Sequence, residues 1–378
     1  MRIAVNTRFL LKDKLEGYGY YINELSKRIA QQHPEHEFLF VFDRPFDEQF
    51  ITSQNITPVV VSPQARHALS FKWWYDVKVP FALKKWKADV FVSLDGFCSL
   101  TTKVPQVLGI HDLAFLHYPD LIPKHHLWYY KLQTNKFLKK AKHIVTVSEF
   151  SKNDIVSRYK VDVEKIEVVH NAARKCFDPI GWEEKEQTKA GWSDGREYFL
   201  FVGAIHPRKN IFNLLRAFSR FKQWQQSNMK LLLAGRLAWH SDDIVDKLAT
   251  YKYRDDVVLL DYVPDEQLSK LVASAYALVY PSLFEGFGLP IVEAMKSGTP
   301  VITSSVSSMP EIGGEAALYV DPNDFDNIAT QMMRLYKDEQ LRETLITAGK
   351  LQAEKFNWDR SAEKLWTIIE EASGTKTN

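Results

Sequence analysis

Two carboxylates stand eight positions apart in Glu285-Gly286-Phe287-Gly288-Leu289-Pro290-Ile291-Val292-Glu293, on either side of a glycine-rich entry to a helix. Pro290 suits the first helical turn, Gly298 suits the residue just past the helix end, and residues 299–303 read as the strand that follows. The glycines therefore lie at a helix N-terminus, where backbone N–H groups lack intrahelical partners and the dipole is positive. A diphosphate can approach such a place while the carboxylates accept hydrogen bonds from sugar hydroxyls, which is the chemistry of a sugar-nucleotide site. The same residues also admit an ordinary account, with Phe287, Leu289 and Ile291 as core and both glutamates as first-turn acids.

A second cluster follows the apolar run 199–203, in Gly203-Ala204-Ile205-His206-Pro207-Arg208-Lys209-Asn210. Arg208 offers a planar fork and Lys209 a point charge at a strand end beside a helix N-terminus, the place to clamp a diphosphate. The alternative is a solvated loop with Asn210 as N-cap. In the first half, Glu16-Gly17-Tyr18-Gly19 is a glycine-bearing turn before a helix. His111-Asp112 ends the strand near 107–110, where an imidazole suits a sugar hydroxyl or charge at a reacting carbon, or serves as a structural hydrogen-bonder. Ser148 precedes the run Glu149-Phe150-Ser151 and reads equally as an N-cap or as a hydroxyl beside a phosphate.

These groups need strand ends to hold them, and short β-branched runs recur along the chain between longer helical patterns. Strands are predicted near 3–6, 38–42, 59–61, 90–93, 107–110, 144–147 and 166–169, then near 199–203, 231–235, 257–260, 278–280, 301–303 and 318–320. Helical patterns cover 18–32, 211–225, 266–274, 324–336 and 358–372. Apolar residues on successive positions, alternating with helices, imply parallel sheets covered on both faces. With 378 residues, 45% of them hydrophobic, the chain accommodates two domains. The aperiodic, charged stretch 178–195 is read as the boundary, giving an N-terminal domain 1–178 and a C-terminal domain 179–358. Two doubly wound sheets would leave a cleft at the carboxyl ends of their strands, where such sheets bind ligands.

Only two cysteines occur, Cys98 and Cys176, without the spacing of a disulfide framework or a zinc site, as expected for a reducing, cytoplasmic compartment. No signal-peptide pattern opens the sequence and no apolar run spans a bilayer. The net charge of +2 conceals an asymmetry: residues 1–178 hold 26 basic and 19 acidic side chains, a balance of +7, against 23 and 28, or −5, in the remainder. Lysines interleave with aromatics in residues 71–87 and again in 124–142. That pattern fits either an anionic membrane surface or an amphipathic helix with its rings in the core. No nucleic-acid partner is expected.

Taken together and in order, these motifs resemble the retaining GT-B glycosyltransferases of the group-1 family over essentially the whole length. The residues that carry the resemblance are Gly17-Tyr18-Gly19, His111-Asp112, residues 147–151, residues 168–171, Pro207-Arg208-Lys209-Asn210, the segment from Glu285 to Glu293 and Met309-Pro310-Glu311. The resemblance implies two Rossmann-like domains facing across a cleft, an N-terminal acceptor domain completed by a C-terminal helix over 359–378, and a C-terminal domain that binds the sugar nucleotide. It implies that Lys209 and Arg208 neutralise the departing diphosphate, helped by amides around Gly17. Glu285 and the amides of Gly286, Phe287 and Gly288, with Leu289 beside them, would hold the donor hexose, and Glu293 the ribose. His111 would sit near the donor sugar, with Asp112 and Ser148 lining the acceptor side. No metal or other cofactor is implied, because cationic side chains and helix N-termini stabilise the leaving group.

The sequence departs from that pattern at Gly203-Ala204, where relatives have Gly-Arg, at Asn171-Ala172, and at Gly17-Tyr18-Gly19-Tyr20-Tyr21, which lacks an arginine sometimes found there. The Pro-Arg-Lys-Asn and His-Asp-Leu segments resemble those of mannosyltransferase-like members, which implies GDP-mannose as donor. The expected acceptor is a glycan or lipid-linked sugar in surface-polysaccharide assembly, and the enzyme is expected to be cytoplasmic or peripheral on the inner membrane face. An epimerase of the same architecture acting on UDP-sugars, or a non-catalytic sugar-nucleotide or membrane-binding module, are the competing expectations.

Overall fold

The computed structural model describes residues 1–12, 15, 17–65, 68–236, 248 and 250–374. The chain packs as two units, one formed by Met1–Asn171 with Asn357–Asn378 and the other by Ala172–Phe356. The strands of unit 1 are β1 (Arg2–Asn6), β2 (Glu37–Phe42), β3 (Ile56–Val60), β4 (Val90–Ser93), β5 (Gln106–Gly109), β6 (His143–Thr146) and β7 (Ile166–Val168). They lie in the order β3-β2-β1-β4-β5-β6-β7, and every neighbouring pair is parallel. Unit 2 holds β8 (Tyr198–Val202), β9 (Lys230–Ala234), β10 (Val257–Leu259), β11 (Ala277–Tyr280), β12 (Val301–Ser304) and β13 (Ala317–Val320). Its order is β10-β9-β8-β11-β12-β13, again all parallel.

The apolar runs behave as central parallel strands must. Every residue of β4, β8, β9 and β11 is buried, because helices cover both faces of the sheet. β3 forms earlier than the sequence pattern suggests, at Ile56–Val60, and tolerates Pro58 because it is an edge strand. In each sheet the winding reverses beside the first strand, between β1 and β4 and between β8 and β11. Doubly wound sheets take ligands at that reversal.

The expected boundary at 178/179 moves to 171/172. The residues between belong to unit 2: Phe177 is fully buried, and Arg174 lies over its ring and pairs with Asp265 and Glu293. The stretch read as an aperiodic linker contains a helix, Trp182–Ser193, held down by Lys189 between Glu186 and Glu197 and by Glu184 against Lys270. The last helix, Trp358–Ser373, returns to unit 1, capped by Asn357. It packs on the helix Gly17–Gln32, with Asp359 bridged to Arg28 at 2.8 Å, Trp366 stacked on His33 at 3.5 Å between centroids, and the Ser361 hydroxyl donating to the His170 carbonyl. Both cysteines are free, Cys98 buried and Cys176 exposed.

Candidate active site

At the reversal of the unit 2 sheet, the loops after β8 and β11 are stitched together. Gly203 follows β8 directly, with a φ of +143° that only glycine adopts comfortably. Gly235 follows β9 at φ +154°, and a Cβ there would fall 1.9 Å from the Gly203 carbonyl oxygen. The two strand ends thus approach as closely as backbones can. A single 3₁₀ turn, Pro207–Lys209, follows, with the His206 ring accepting from the Arg208 N–H. Leu283 donates its N–H to the Arg208 carbonyl at 2.8 Å, and the Arg208 guanidinium donates to the Phe284 carbonyl at 3.0 Å. Asn210 holds the N-cap position of the next helix, but its side chain makes no capping bond: its amide donates to the carbonyls of Pro281 and Pro322, tying the loops after β8, β11 and β13 together.

Lys209 and Glu285 face each other across these loops. The ammonium donates to Glu285 Oε1 at 2.6 Å and to the Tyr280 hydroxyl at 2.5 Å, and lies 4.9 Å over the Tyr280 ring. Burial alone would raise the Glu285 carboxyl; Lys209 and then Arg208 outweigh it and hold the group below the usual glutamate value. Glu285 is therefore anionic at neutral pH. Ser307 accepts from the Glu285 N–H, while the Ser308 hydroxyl contacts the carbonyls of both Glu285 and Phe287. Gly288, at φ +98°, turns the chain into the helix Leu289–Lys296, with Pro290 in its first turn and Gly298 past its end at φ +73°. The Phe287 ring is core, packed edge-on against Phe356 at 5.4 Å, so what this residue presents to a ligand is backbone.

Glu293 sits on the same helix with only 1% of its surface exposed. Arg174 grips it with two parallel bonds of 2.6 and 2.9 Å and spends a third donor on Asp265 at 2.6 Å. Burial raises the Glu293 carboxyl above the usual value, and Arg174 only partly offsets it. Each carboxylate oxygen has a second lone pair, so the bidentate clamp orients the group without exhausting it as an acceptor.

Unit 1 gathers the other predicted residues at the carboxyl edge of its own sheet. His111 follows β5, its Nε2–H donating to the Leu94 carbonyl at 3.1 Å, which makes Nδ1 the acceptor of the ring. Tyr18 and Tyr21 enclose it at 4.2 and 4.7 Å between centroids. Burial pushes the imidazole down to about 4, so it is neutral near pH 7. Asp112 accepts from the Ala114 N–H at 2.8 Å. Ser148 is the N-cap of the helix Glu149–Tyr159, accepting from the Ser151 N–H at 3.1 Å, and Ser151 in turn donates to the His111 carbonyl. Gly17 begins the helix that carries Tyr18 and Tyr21; Glu16 lies outside the described residues.

Sequence reasoning missed Arg174, Tyr280, Ser307 and Ser308. Tyr280 was within reach as the last residue of a predicted strand, where side chains meet the ligand edge. Nothing local marks Arg174, which is 119 positions from its partner.

Two parallel α/β units of this kind make up the GT-B architecture, which solved structures share. The Anabaena HepE structure in complex with UDP-glucose aligns with a TM-score of 0.79 over 98% of this chain and 100% of that one, at 15% identity. The chain belongs to the group-1 glycosyltransferase family: the model for glycosyl transferases group 1 matches residues 183–352, and that for glycosyltransferase family 4 matches residues 15–173. It is 30% identical to the O-antigen chain mannosyltransferase B of Escherichia coli, over 92% of this chain and 94% of that protein. It is also similar to the O-antigen chain mannosyltransferase RfbU of Salmonella typhimurium, at 37% identity over 58% of this chain and 57% of that one.

Proposed function

We propose that the chain is a hexosyltransferase that moves mannose from GDP-mannose, with retention at the anomeric carbon, to a glycan or lipid-linked acceptor in surface-polysaccharide assembly. The observation that carries this reading is the Lys209–Glu285 pair at the reversal of the unit 2 sheet, beside the glycine-led helix N-terminus. Similarity to O-antigen mannosyltransferases supports mannose as the sugar.

In this reading Lys209 and Arg208 bind the diphosphate and Glu285 accepts from hexose hydroxyls. Glu293, oriented by Arg174, accepts from the ribose. The acceptor oxygen bonds to the anomeric carbon as the bond from that carbon to the diphosphate oxygen breaks on the same face. The diphosphate leaves with the electron pair and takes up the acceptor's proton. Lys209 and Arg208 stabilise the charge that develops, a role that needs no metal. His111, neutral and presenting Nδ1, accepts from a donor hydroxyl rather than supplying a proton.

The test offers labelled GDP-mannose and a panel of other sugar nucleotides to the pure protein with EDTA present, and follows transfer and slow donor hydrolysis. Turnover of GDP-mannose above the others, with an α-linked product, is expected. Preference for another donor removes the mannose assignment, an inverted product removes retention, and strict dependence on a divalent ion removes the metal-free mechanism.

A further inference from the structure

The turn that leads out of β12 contains two serines with different tasks. Ser308 is fully buried, its hydroxyl 2.9 Å from the Glu285 carbonyl and 3.0 Å from that of Phe287. Its own carbonyl accepts from the Ile312 N–H in the short helix Met309–Gly313 that follows. Ser307 is half-buried and stands at φ +55°, in the left-handed region. Its hydroxyl oxygen accepts from the Glu285 N–H at 3.1 Å. Glu285 lies in the loop between β11 and the helix Leu289–Lys296, so neither a ladder nor a helix pairs its peptide groups. A buried N–H still needs an acceptor, and Ser307 supplies it. Arg208 holds the neighbouring residues 283 and 284, and Lys209 meets the carboxylate. The peptide of Glu285 itself is held by the two serines. Peptide units on either side of a residue fix the direction of its Cα–Cβ bond, so these contacts aim the Glu285 carboxylate.

The residue type at 307 carries the inference. A turn that requires a φ of +55° is met at least cost by glycine, because any Cβ crowds the left-handed backbone. Lys87, Lys160, Asp194 and Gln226 share such a φ, but they end helices, where that conformation is common. Ser307 ends no helix. A serine there does nothing for the backbone that glycine would not do better; what it adds is a hydroxyl, and that hydroxyl is spent on the Glu285 N–H. Strain of this kind gathers where geometry matters more than stability.

We propose that Ser307 is a positioning residue for Glu285: its hydroxyl fixes the peptide that aims the carboxylate at the donor hexose, and the left-handed backbone at 307 brings that hydroxyl within reach. The proposal rests on the reading of Glu285 as the acceptor of hexose hydroxyls, and its test separates the two. Ser307→Gly removes the hydroxyl and relieves the backbone, whereas Ser307→Ala removes the hydroxyl and keeps the strain. The full chain is titrated calorimetrically with GDP and with GDP-mannose, and turnover is followed in parallel. Ser307→Gly should melt close to the wild type and bind GDP as the wild type does, because Lys209 and Arg208 are untouched. It should bind GDP-mannose about tenfold more weakly and lose at least as much in kcat/KM. Ser307→Ala should show the same ligand defect with a lower melting temperature. Ser307→Asn, which tolerates left-handed backbone and carries a side-chain acceptor, should recover most of the loss. A structural role alone would make affinity follow melting temperature. Wild-type affinity for both ligands in Ser307→Gly therefore overturns the proposal, as does an equal loss for GDP and GDP-mannose. A wild-type chain that binds neither ligand, or a Glu285→Gln variant that binds GDP-mannose as the wild type does, removes the donor reading itself and the purpose assigned to Ser307 with it.

Discussion

The two sheets reverse at equivalent places, and each reversal carries a cation, a carboxylate and a tyrosine. In unit 2 these are Lys209, Glu285 and Tyr280; in unit 1 they are Arg8, Asp95 and Tyr75. The unit 1 set is sealed. Asp95 accepts from Arg8, Asn6 and the Tyr75 hydroxyl on one oxygen, and contacts Ser93 and the Phe97 N–H through the other. Phe9, Phe71 and Phe97 close around the Arg8 guanidinium, whose side chain is only 5% exposed. Burial works to lower the Arg8 pKa, but Tyr75 and Asp95 outweigh it and hold the charge firmly. In unit 2 the side chains of Lys209 and Glu285 keep 15% and 10% exposure, and the cation is a point charge on a flexible stem rather than a planar fork. One topology thus delivers paired charges to the same place twice. Where aromatics close over the pair and every lone pair is used, it is architecture; where an edge stays open, it can exchange partners with a ligand.

The comparison breaks most visibly at Arg8. Arg8→Ala strands the Asp95 carboxylate in a dry site and should cost about 3–5 kcal/mol of stability in urea unfolding. If the variant unfolds like the wild type but loses acceptor turnover, unit 1's set is a ligand site after all. Lys209→Ala should invert that signature, lowering kcat about 10²–10³-fold while costing about 1–3 kcal/mol of stability. A variant that is inactive only because it is unfolded, as shown by its circular dichroism, would make the two reversals alike.

His111 sharpens the contrast through pH. Its folded pKa, about 4, lies below the ordinary 6.5, so the stability it contributes is present above pH 6.5 and is lost as pH falls through about 4. Over that window the wild type should lose at most about 3 kcal/mol from this group, and His111→Asn, which keeps a donor for the Leu94 carbonyl but cannot titrate, should not. Identical melting profiles from pH 7 to pH 4 would show that the ring is already charged or already exposed. The smallest expected effect on turnover is at Arg174. Replacement by Ala leaves kcat nearly unchanged and raises KM for the sugar nucleotide about tenfold, because Glu293 loses its orientation. The defect should widen as pH falls, since the unpaired buried carboxyl takes up a proton more readily. A kcat loss equal to the change in kcat/KM would instead place Arg174 in the transition state.

Much of this was legible in the residues. Apolar runs such as Phe199-Leu200-Phe201-Val202 mark central strands because only a strand covered on both faces buries successive side chains. A cation pair between a strand end and a helix N-terminus singled out Lys209, and two carboxylates around a glycine-rich helix entry singled out Glu285. The helix Trp182–Ser193 escaped because it has no apolar stripe: Trp182 is 74% exposed, and the helix is held by ion pairs to residues outside it. The clamp of Arg174 on Glu293 escaped for another reason. Bidentate pairing is a property of two surfaces brought into register by the fold, and neither partner's neighbours in sequence announce it.

The helix Trp358–Ser373 also orders events in time. Unit 2 lies within one continuous span, so it has all its parts while synthesis is still under way. Unit 1 is assembled from both sides of that span, and Tyr21, Arg28 and His33 wait for Trp358, Asp359 and Trp366 to emerge. The part of unit 1 made before unit 2 therefore matures after it, and a nascent chain stalled before residue 358 would present an unfinished, adhesive flank to chaperones.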